Sequence, residues 1–276
     1  AHGAEIRTDA EVAQVLVQGG RAEGVVLADG EEIRAQAVVS NLDVKRTFLK
    51  TVPHEALDPD FLQQVRNFKI RGSSGKLNIA LDGLPRFPAL DDEPLLRSAG
   101  LMIGGSLEYQ ERAYDDWKNG MWSRKPFLDV VIPSTIDPTM APPGKHYMSV
   151  FVQYVPPTLA DGPWTPEKRD AFGKTVLDTI GEHSPDFKDL ILDVWVRSPW
   201  DLENEVGLTE GNIFQGELTL DQLLFNRPIP GYAQYRGPLK GLYMCGSSTH
   251  PGGGVMGAPG ANAAREMLHD FKRRAV

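Results

Sequence analysis

The reading turns on one stretch near the end of the chain: Gly241-Leu242-Tyr243-Met244-Cys245-Gly246-Ser247-Ser248-Thr249-His250-Pro251-Gly252-Gly253-Gly254-Val255-Met256-Gly257-Ala258-Pro259-Gly260-Ala261-Asn262-Ala263-Ala264. Its apolar start, residues 242–245, predicts a buried strand. Pro259 suits the first turn of a helix, where its missing N–H costs nothing. Ala264, Leu268 and Phe271 recur at i, i+4 and i+7, with Met267 beside them. This predicts a helix that buries that stripe and turns Arg265, Glu266 and Asp270 outward. Strand, glycine-rich loop and helix in this order place bare backbone amides at a helix start. Glycine lets N–H groups approach a ligand with no Cβ in the way, and the helix N-terminus adds partial positive charge. Such a tip suits a phosphate, or the N1–C2=O edge of a flavin, where negative charge gathers on reduction. The alternative is a glycine-rich turn needed only for close packing.

Gly252, Gly254 and Gly257 match G-x-G-x-x-G literally, but the predicted strand ends seven residues before Gly252. The dinucleotide fingerprint wants its glycines directly after the strand and an acidic residue about 20 positions further on. The stretch is therefore not read as a complete nucleotide-binding βαβ unit.

Working upstream, residues 12–17, 24–28 and 32–39 predict three strands, with Gly19-Gly20 and Asp29-Gly30 as turns, which makes a meander. The third ends in Ser40-Asn41, at the carboxyl end of a strand, where α/β folds place ligands; an ordinary Asx turn is the alternative. Residues 59–68 predict a short helix, 76–81 a strand, and 109–119 a polar-aromatic helix. Residues 127–132 and 147–155 predict strands that form a long hairpin or lie side by side. Thr165 and Pro166 open a helix as N-cap and first helical residue, with Phe172, Val176, Leu177 and Ile180 as its buried stripe. Residues 191–196 predict another strand.

The chain has 276 residues, 29 Lys and Arg against 37 Asp and Glu, a net charge of −8 and a single cysteine, Cys245. The length predicts one large or two smaller units. The acidic balance leaves no basic stripe for phosphates, so no nucleic-acid partner is expected. One cysteine excludes a disulfide framework or a cysteine-rich zinc site, and the six histidines show no H-x-x-x-H spacing, so no metal site is expected. The longest apolar runs are strand-length, which predicts no membrane-spanning helix. A cytoplasmic location is the default expectation. The sequence opens on Ala1-His2-Gly3-Ala4-Glu5-Ile6. This reads as a helix end, a C′ glycine and a strand, and predicts the C-terminal part of a longer protein; a flexible start with a chance glycine is the alternative.

The string from Gly246 to Ala264 resembles the C-terminal flavin signature of phytoene desaturase-like FAD oxidoreductases. Ala37-Val38-Val39-Ser40-Asn41-Leu42-Asp43 resembles the strand that leads out of their FAD domain. Asp137-Pro138-Thr139-Met140-Ala141-Pro142-Pro143-Gly144-Lys145-His146 and Gly211-Asn212-Ile213-Phe214-Gln215-Gly216 are similar to one branch of them. The resemblance implies an α/β fold with α+β character: a mixed-sheet substrate domain with helices, plus remnants of a discontinuous FAD-binding Rossmann-like domain. Residues 1–52 and 237–276 would be the FAD-domain segments and 53–236 the substrate domain. Gly246 and Ser247 would approach the ribityl–pyrophosphate stretch. Gly254, Val255, Met256 and Gly257 would line the isoalloxazine edge, and Val12 would present its backbone to the adenine. No catalytic residue is assigned; His250, beside the glycine run, is a candidate proton shuttle, with loop structuring as its alternative.

The implied chemistry is hydride removal from a hydrophobic small molecule to flavin N5. Since the family's N-terminal ADP-binding turn has no counterpart in this sequence, the chain alone is expected to bind FAD weakly or not at all and to be inactive. Peripheral membrane contact and self-association through uncovered apolar surface are further expectations. A non-catalytic interaction module with the same ancestry is the competing reading, and a nicotinamide dehydrogenase using residues 252–257 the least favoured. The five tryptophans, Trp117, Trp122, Trp164, Trp195 and Trp200, are expected in the core rather than along a substrate channel.

Overall fold

Gly19 and Gly20, at φ +57° and +74°, reverse the chain between β1 (Val12–Gln18) and β2 (Arg21–Leu27). Two successive positive φ values match the twist of a tight antiparallel hairpin, and glycine takes them without strain. β3 (Glu32–Arg34) completes the meander by pairing with β2. Gly24 is held at this crossing by space, since a Cβ there would lie 2.1 Å from the Ile33 carbonyl oxygen.

This computed structural model describes residues 3–90 and 100–273. The helix end expected at Ala1-His2 lies outside the described residues. The chain divides into two compact units, one of Ala1–Ile70 with Ile213–Val276 and one of Arg71–Asn212. The expected substrate domain was wider, 53–236. The difference has a packing basis: Leu57, Phe61, Val65, Phe68 and Ile70 share the first unit's core with Val15, Ile229, Leu242 and Met244.

In the first unit the strand expected over 32–39 is two strands in two sheets. The Ala35 N–H donates to the Glu23 carbonyl at 2.9 Å, and three residues on the Val38 N–H donates to the Gly241 carbonyl at 2.8 Å. The chain thus leaves the meander, and β4 (Val38–Ser40) pairs in parallel with β10 (Leu242–Met244). Asp43 then caps α1 (Val44–Arg46), its Oδ1 accepting from the Arg46 N–H at 2.9 Å. α2 (Pro59–Asn67) starts under an Asp58 cap with Pro59 in its first turn and buries Phe61, Leu62 and Val65.

The last helix, α6 (Ala258–Arg273), departs from expectation in which face it buries. Leu268 and Phe271 are 60% and 38% exposed, whereas Ala263 and Asp270 are buried. The inward face pairs Pro259 and Ala263 with a charged residue, Asp270, which accepts both from Arg236 Nε and from the Tyr243 hydroxyl. Charge pairing with residues distant in sequence has outweighed the apolar stripe.

The second unit is a five-stranded antiparallel sheet in the order β6-β7-β8-β5-β9: Leu101–Ile103, Phe127–Val131, His146–Gln153, Ser74–Leu81 and Ile191–Arg197. The two runs expected as a hairpin or as neighbours are adjacent antiparallel strands. One face carries Leu77, Ile79, Leu81, Leu128, Val130, Val150 and Val152 into the core. α3 (Leu107–Lys118) is capped by Ser106, and α4 (Pro166–Gly181) by Thr165, whose Oγ1 accepts from the Lys168 N–H. Phe172, Val176 and Ile180 of α4 join the core as expected. α5 (Pro199–Asp201) is a single turn closed by a reciprocal Ser198–Asp201 cap. Of the tryptophans, Trp164 is buried, but Trp195 and Trp200 are 54% and 47% exposed, so the core assignment fails for these two. Trp195 is instead covered on one face by the Arg197 guanidinium at 4.0 Å, a cation–π contact.

Candidate functional site

Parallel strands present their carboxyl ends on the same side, and in α/β folds that side holds ligands. β4 and β10 run into Asn41 and Cys245, and the two exits touch. A Cβ on Gly246 would lie 2.7 Å from both the Asn41 carbonyl oxygen and the Gln215 side-chain oxygen. Gly246 is therefore glycine by packing, whatever else its amide does.

The loop that follows is braced from within and from behind. The Thr249 N–H donates to the Gly246 carbonyl at 3.0 Å, and the Gly252 N–H to the Thr249 carbonyl at 2.8 Å. Ser248, fully buried, donates to the Gln215 carbonyl and accepts from the Val44 N–H. Behind it lies Arg227, also fully buried, donating from Nε and Nη2 to the Ser247 carbonyl at 3.0 and 2.8 Å and from Nη2 to the Phe214 carbonyl at 2.9 Å. Burial pushes the Arg227 pKa down to about 10. His250 is positioned through its backbone: its carbonyl accepts from the Tyr235 hydroxyl, which in turn accepts from Asn262 Nδ2 on α6.

Beyond this braced segment the loop opens. Gly254, Val255, Met256 and Gly257 are all exposed, with Val255 and Met256 at 108% and 57%. Gly254, Val255 and Gly257 take φ values of +128°, +56° and +65°. A Cβ built on Gly257, or on Gly260 in the first turn of α6, would meet nothing within 4 Å. The Ala261 N–H donates to the Gly257 carbonyl at 3.0 Å, so the amides ahead of it belong to the turn that a helix leaves without internal acceptors. This is an accessible helix mouth walled by glycine rather than a packed turn.

Gly246, Ser247, His250, Gly254, Val255, Met256 and Gly257 lie on this one loop between β10 and α6. Val12 stands elsewhere in the fold, at the start of β1 and 37% exposed. Sequence reasoning assigned no role to Arg227, Gln215 and the Tyr235–Asn262 pair, whose polar atoms shape the loop; Gln215 and Asn262 lie inside the quoted motifs, whereas Arg227 and Tyr235 carry none. It also missed Lys76, at the second unit's sheet. Burial lowers the pKa of this amine against an opposing pull from Asp129.

The residues present fit the ring end of FAD: at Gly257 and Gly260, where α6 begins, a Cβ would meet nothing within 4 Å. Among the described residues there is no strand–glycine turn–helix of the kind an ADP moiety uses.

Residues 1–268 match the family described as flavin containing amine oxidoreductase, and the chain belongs to that family. Within it, the chain is 42% identical over 281 residues to the pyridine nucleotide-disulfide oxidoreductase domain-containing protein 2 of Rattus norvegicus, an alignment covering 99% of this chain and 48% of the relative. It is 27% identical to a phytoene desaturase (lycopene-forming) of a Paracoccus species, over 98% of this chain and 51% of that protein. A solved oxidoreductase from Methanosarcina mazei shares the fold, with a TM-score of 0.60 at 20% identity, over 97% of this chain and 50% of that one. The chain spans about half the length of the curated relatives it matches.

Proposed function

We propose that the chain forms part of an FAD-dependent oxidoreductase that removes hydride from a hydrophobic small molecule to flavin N5. The observation that carries this reading is the exposed glycine mouth of α6, residues 254–257, in a chain of the flavin containing amine oxidoreductase family. In the bound state the flavin supplies the redox chemistry. The chain's own part is to bind and orient. Amides of Gly254, Val255, Met256 and Gly257 donate toward the ring edge, and Gly246 and Ser247 approach the ribityl–pyrophosphate stretch. Val12 offers backbone to the adenine, and His250 holds or passes a proton beside the ring. The second unit carries the substrate on its sheet.

With Gly254–Gly257 assigned to the ring end and no strand–glycine turn–helix for an ADP moiety among the described residues, the 276-residue chain alone would bind FAD weakly and turn over no substrate. Exposed Leu218, Leu220, Leu224 and Phe225 support self-association and peripheral contact with a membrane; among the described residues no helix is long and apolar enough to cross one. The test is the visible spectrum of the purified chain followed by titration with FAD. Weak, saturable binding is the expected result. Stoichiometric flavin carried through purification would contradict the weak-binding part, and no binding at any concentration would contradict the site itself.

A further inference from the structure

Two cavities of the second unit meet beside the C-terminal end of α3. The smaller, of about 440 Å³, is walled by Gly120, Met121, Trp122, Leu159 and Ala160. The larger, of about 760 Å³, runs along α3 past Ser106, Tyr109, Arg112 and Asp115. Asn119, Met121 and Arg124 line both. The apolar cavity has a fixed wall. The Ala160 N–H donates to the Gly120 carbonyl at 2.9 Å, and a Cβ on Gly120 would lie 2.9 Å from that of Ala160. Trp122 packs against Trp164 and Phe172 and donates its Nε1–H to Thr175 Oγ1 at 3.3 Å.

The charges around both cavities already compensate one another. Arg124 donates from Nε and Nη2 to buried Asp116 at 3.1 and 2.9 Å. Asp161, at the edge of the apolar cavity, accepts from Lys168 at 2.9 Å, and Asp115 pairs with Lys118 at 2.7 Å. Arg112 pairs with Glu108, and Lys125 with Glu182. What remains at the junction is one donor, Arg124 Nη1, and one acceptor, Asn119 Oδ1. Neither has a partner among the described residues, since Asn119 spends its Nδ2 on the Asp115 carbonyl at 2.9 Å.

We infer that this joined cavity binds a small neutral ring molecule bearing one hydroxyl. The apolar part has the size of a small-molecule site, about 300–1,000 Å³. The Trp122 indole and the Met121 thioether are surfaces that favour an unsaturated ring. The hydroxyl donates to Asn119 Oδ1 and accepts from Arg124 Nη1, which satisfies both leftover groups at once. A charged ligand instead surrenders its hydration to a wall with no uncompensated charge. The site lies within the second unit and uses no residue of the glycine loop.

The experiment titrates the 276-residue chain with 2-naphthol, and separately with naphthalene-2-carboxylate, near neutral pH under backbone amide NMR. Saturable shifts at Gly120, Met121, Trp122, Leu159 and Ala160 are expected with 2-naphthol. Its dissociation constant should be at least about threefold below that of the carboxylate. Asn119→Ala should weaken 2-naphthol by at least about threefold, with the shifts staying at the same residues. No saturable shift at those residues, or a ratio between the two probes under about threefold, would overturn the assignment. Unchanged 2-naphthol affinity in Asn119→Ala would overturn the hydroxyl contact. The comparison of the two probes on the unaltered chain decides the matter even if the variant fails to fold.

Discussion

Asp270, buried near the end of α6, holds Arg236 in a fork: its Oδ2 accepts from Nε at 2.7 Å and its Oδ1 from Nη2 at 2.8 Å. The Tyr243 hydroxyl adds a third donor at 2.9 Å from the middle of β10. One carboxylate therefore fastens the helix to the strand on either side of the glycine loop.

Replacing Asp270 by Ala should destabilise the first unit by about 2–3 kcal/mol. Removing one partner of a largely buried, bidentate pair leaves the other uncompensated; partial exposure of Arg236 keeps the cost at the low end. Chemical denaturation of the variant beside the parent chain reads the difference, and a cost within error of zero would refute the clamp.

The same clamp sets a pH window. The Arg236 guanidinium, with help from Tyr243, holds the Asp270 carboxyl down at about 2, against about 4 in an unfolded chain. Its folded pKa is depressed, so its stabilisation is complete above about pH 4 and is lost as pH falls from about 4 to 2. Burial, then Asp270, raises the Tyr243 phenol to about 12. That contribution is complete below about pH 10 and is lost as pH rises from about 10 to 12. Melting temperature followed across pH should fall at both ends, and Asp270→Asn should flatten the acid limb.

Two glycines of the site should respond differently to alanine. Gly246 has no room, its would-be Cβ meeting the Asn41 carbonyl oxygen at 2.7 Å, so Gly246→Ala should cost about 2–3 kcal/mol. Gly257 has open space and φ +65°, so Gly257→Ala should cost only the left-handed backbone penalty of about 1–2 kcal/mol. Urea unfolding of both variants tests this ordering. Equal losses would mean that Gly257 is also a packing residue, which would remove the basis of the exposed mouth.

How much of this was legible follows from where the deciding contacts lie. α4 was readable because its Thr165 cap, Pro166 and Phe172–Val176–Ile180 spacing are all local. The glycine mouth was readable for the same reason: one continuous string holds the strand, the loop and the helix start. The split of residues 32–39 was not, since Val38 finds its partner at Gly241, far along the chain. Nor was the face of α6, where an apolar stripe of ordinary spacing yields to Asp270 and its distant partners Arg236 and Tyr243. Arg227 carries no pattern at all. Its role comes from carbonyls of Phe214 and Ser247 that converge only after folding.

Arg227 should prove the least replaceable side chain of the loop. Arg227→Met removes the fork that holds the Ser247 and Phe214 carbonyls and leaves those acceptors buried, so a loss of about 3–5 kcal/mol is expected. Arg227→Lys should recover little of it, because an ammonium cannot span both carbonyls as a planar fork does. Thermal unfolding of the two variants checks the pair, and full recovery by lysine would show that charge alone matters there.

The central claim is that bare amides at the mouth of α6 receive a flavin ring. Backbone amide NMR of the chain titrated with FAD tests it most directly, because shifts report even weak binding residue by residue. The account predicts saturable shifts at Gly254, Val255, Met256, Gly257 and Ala258. Saturable shifts confined to other residues, or none at all, would contradict it.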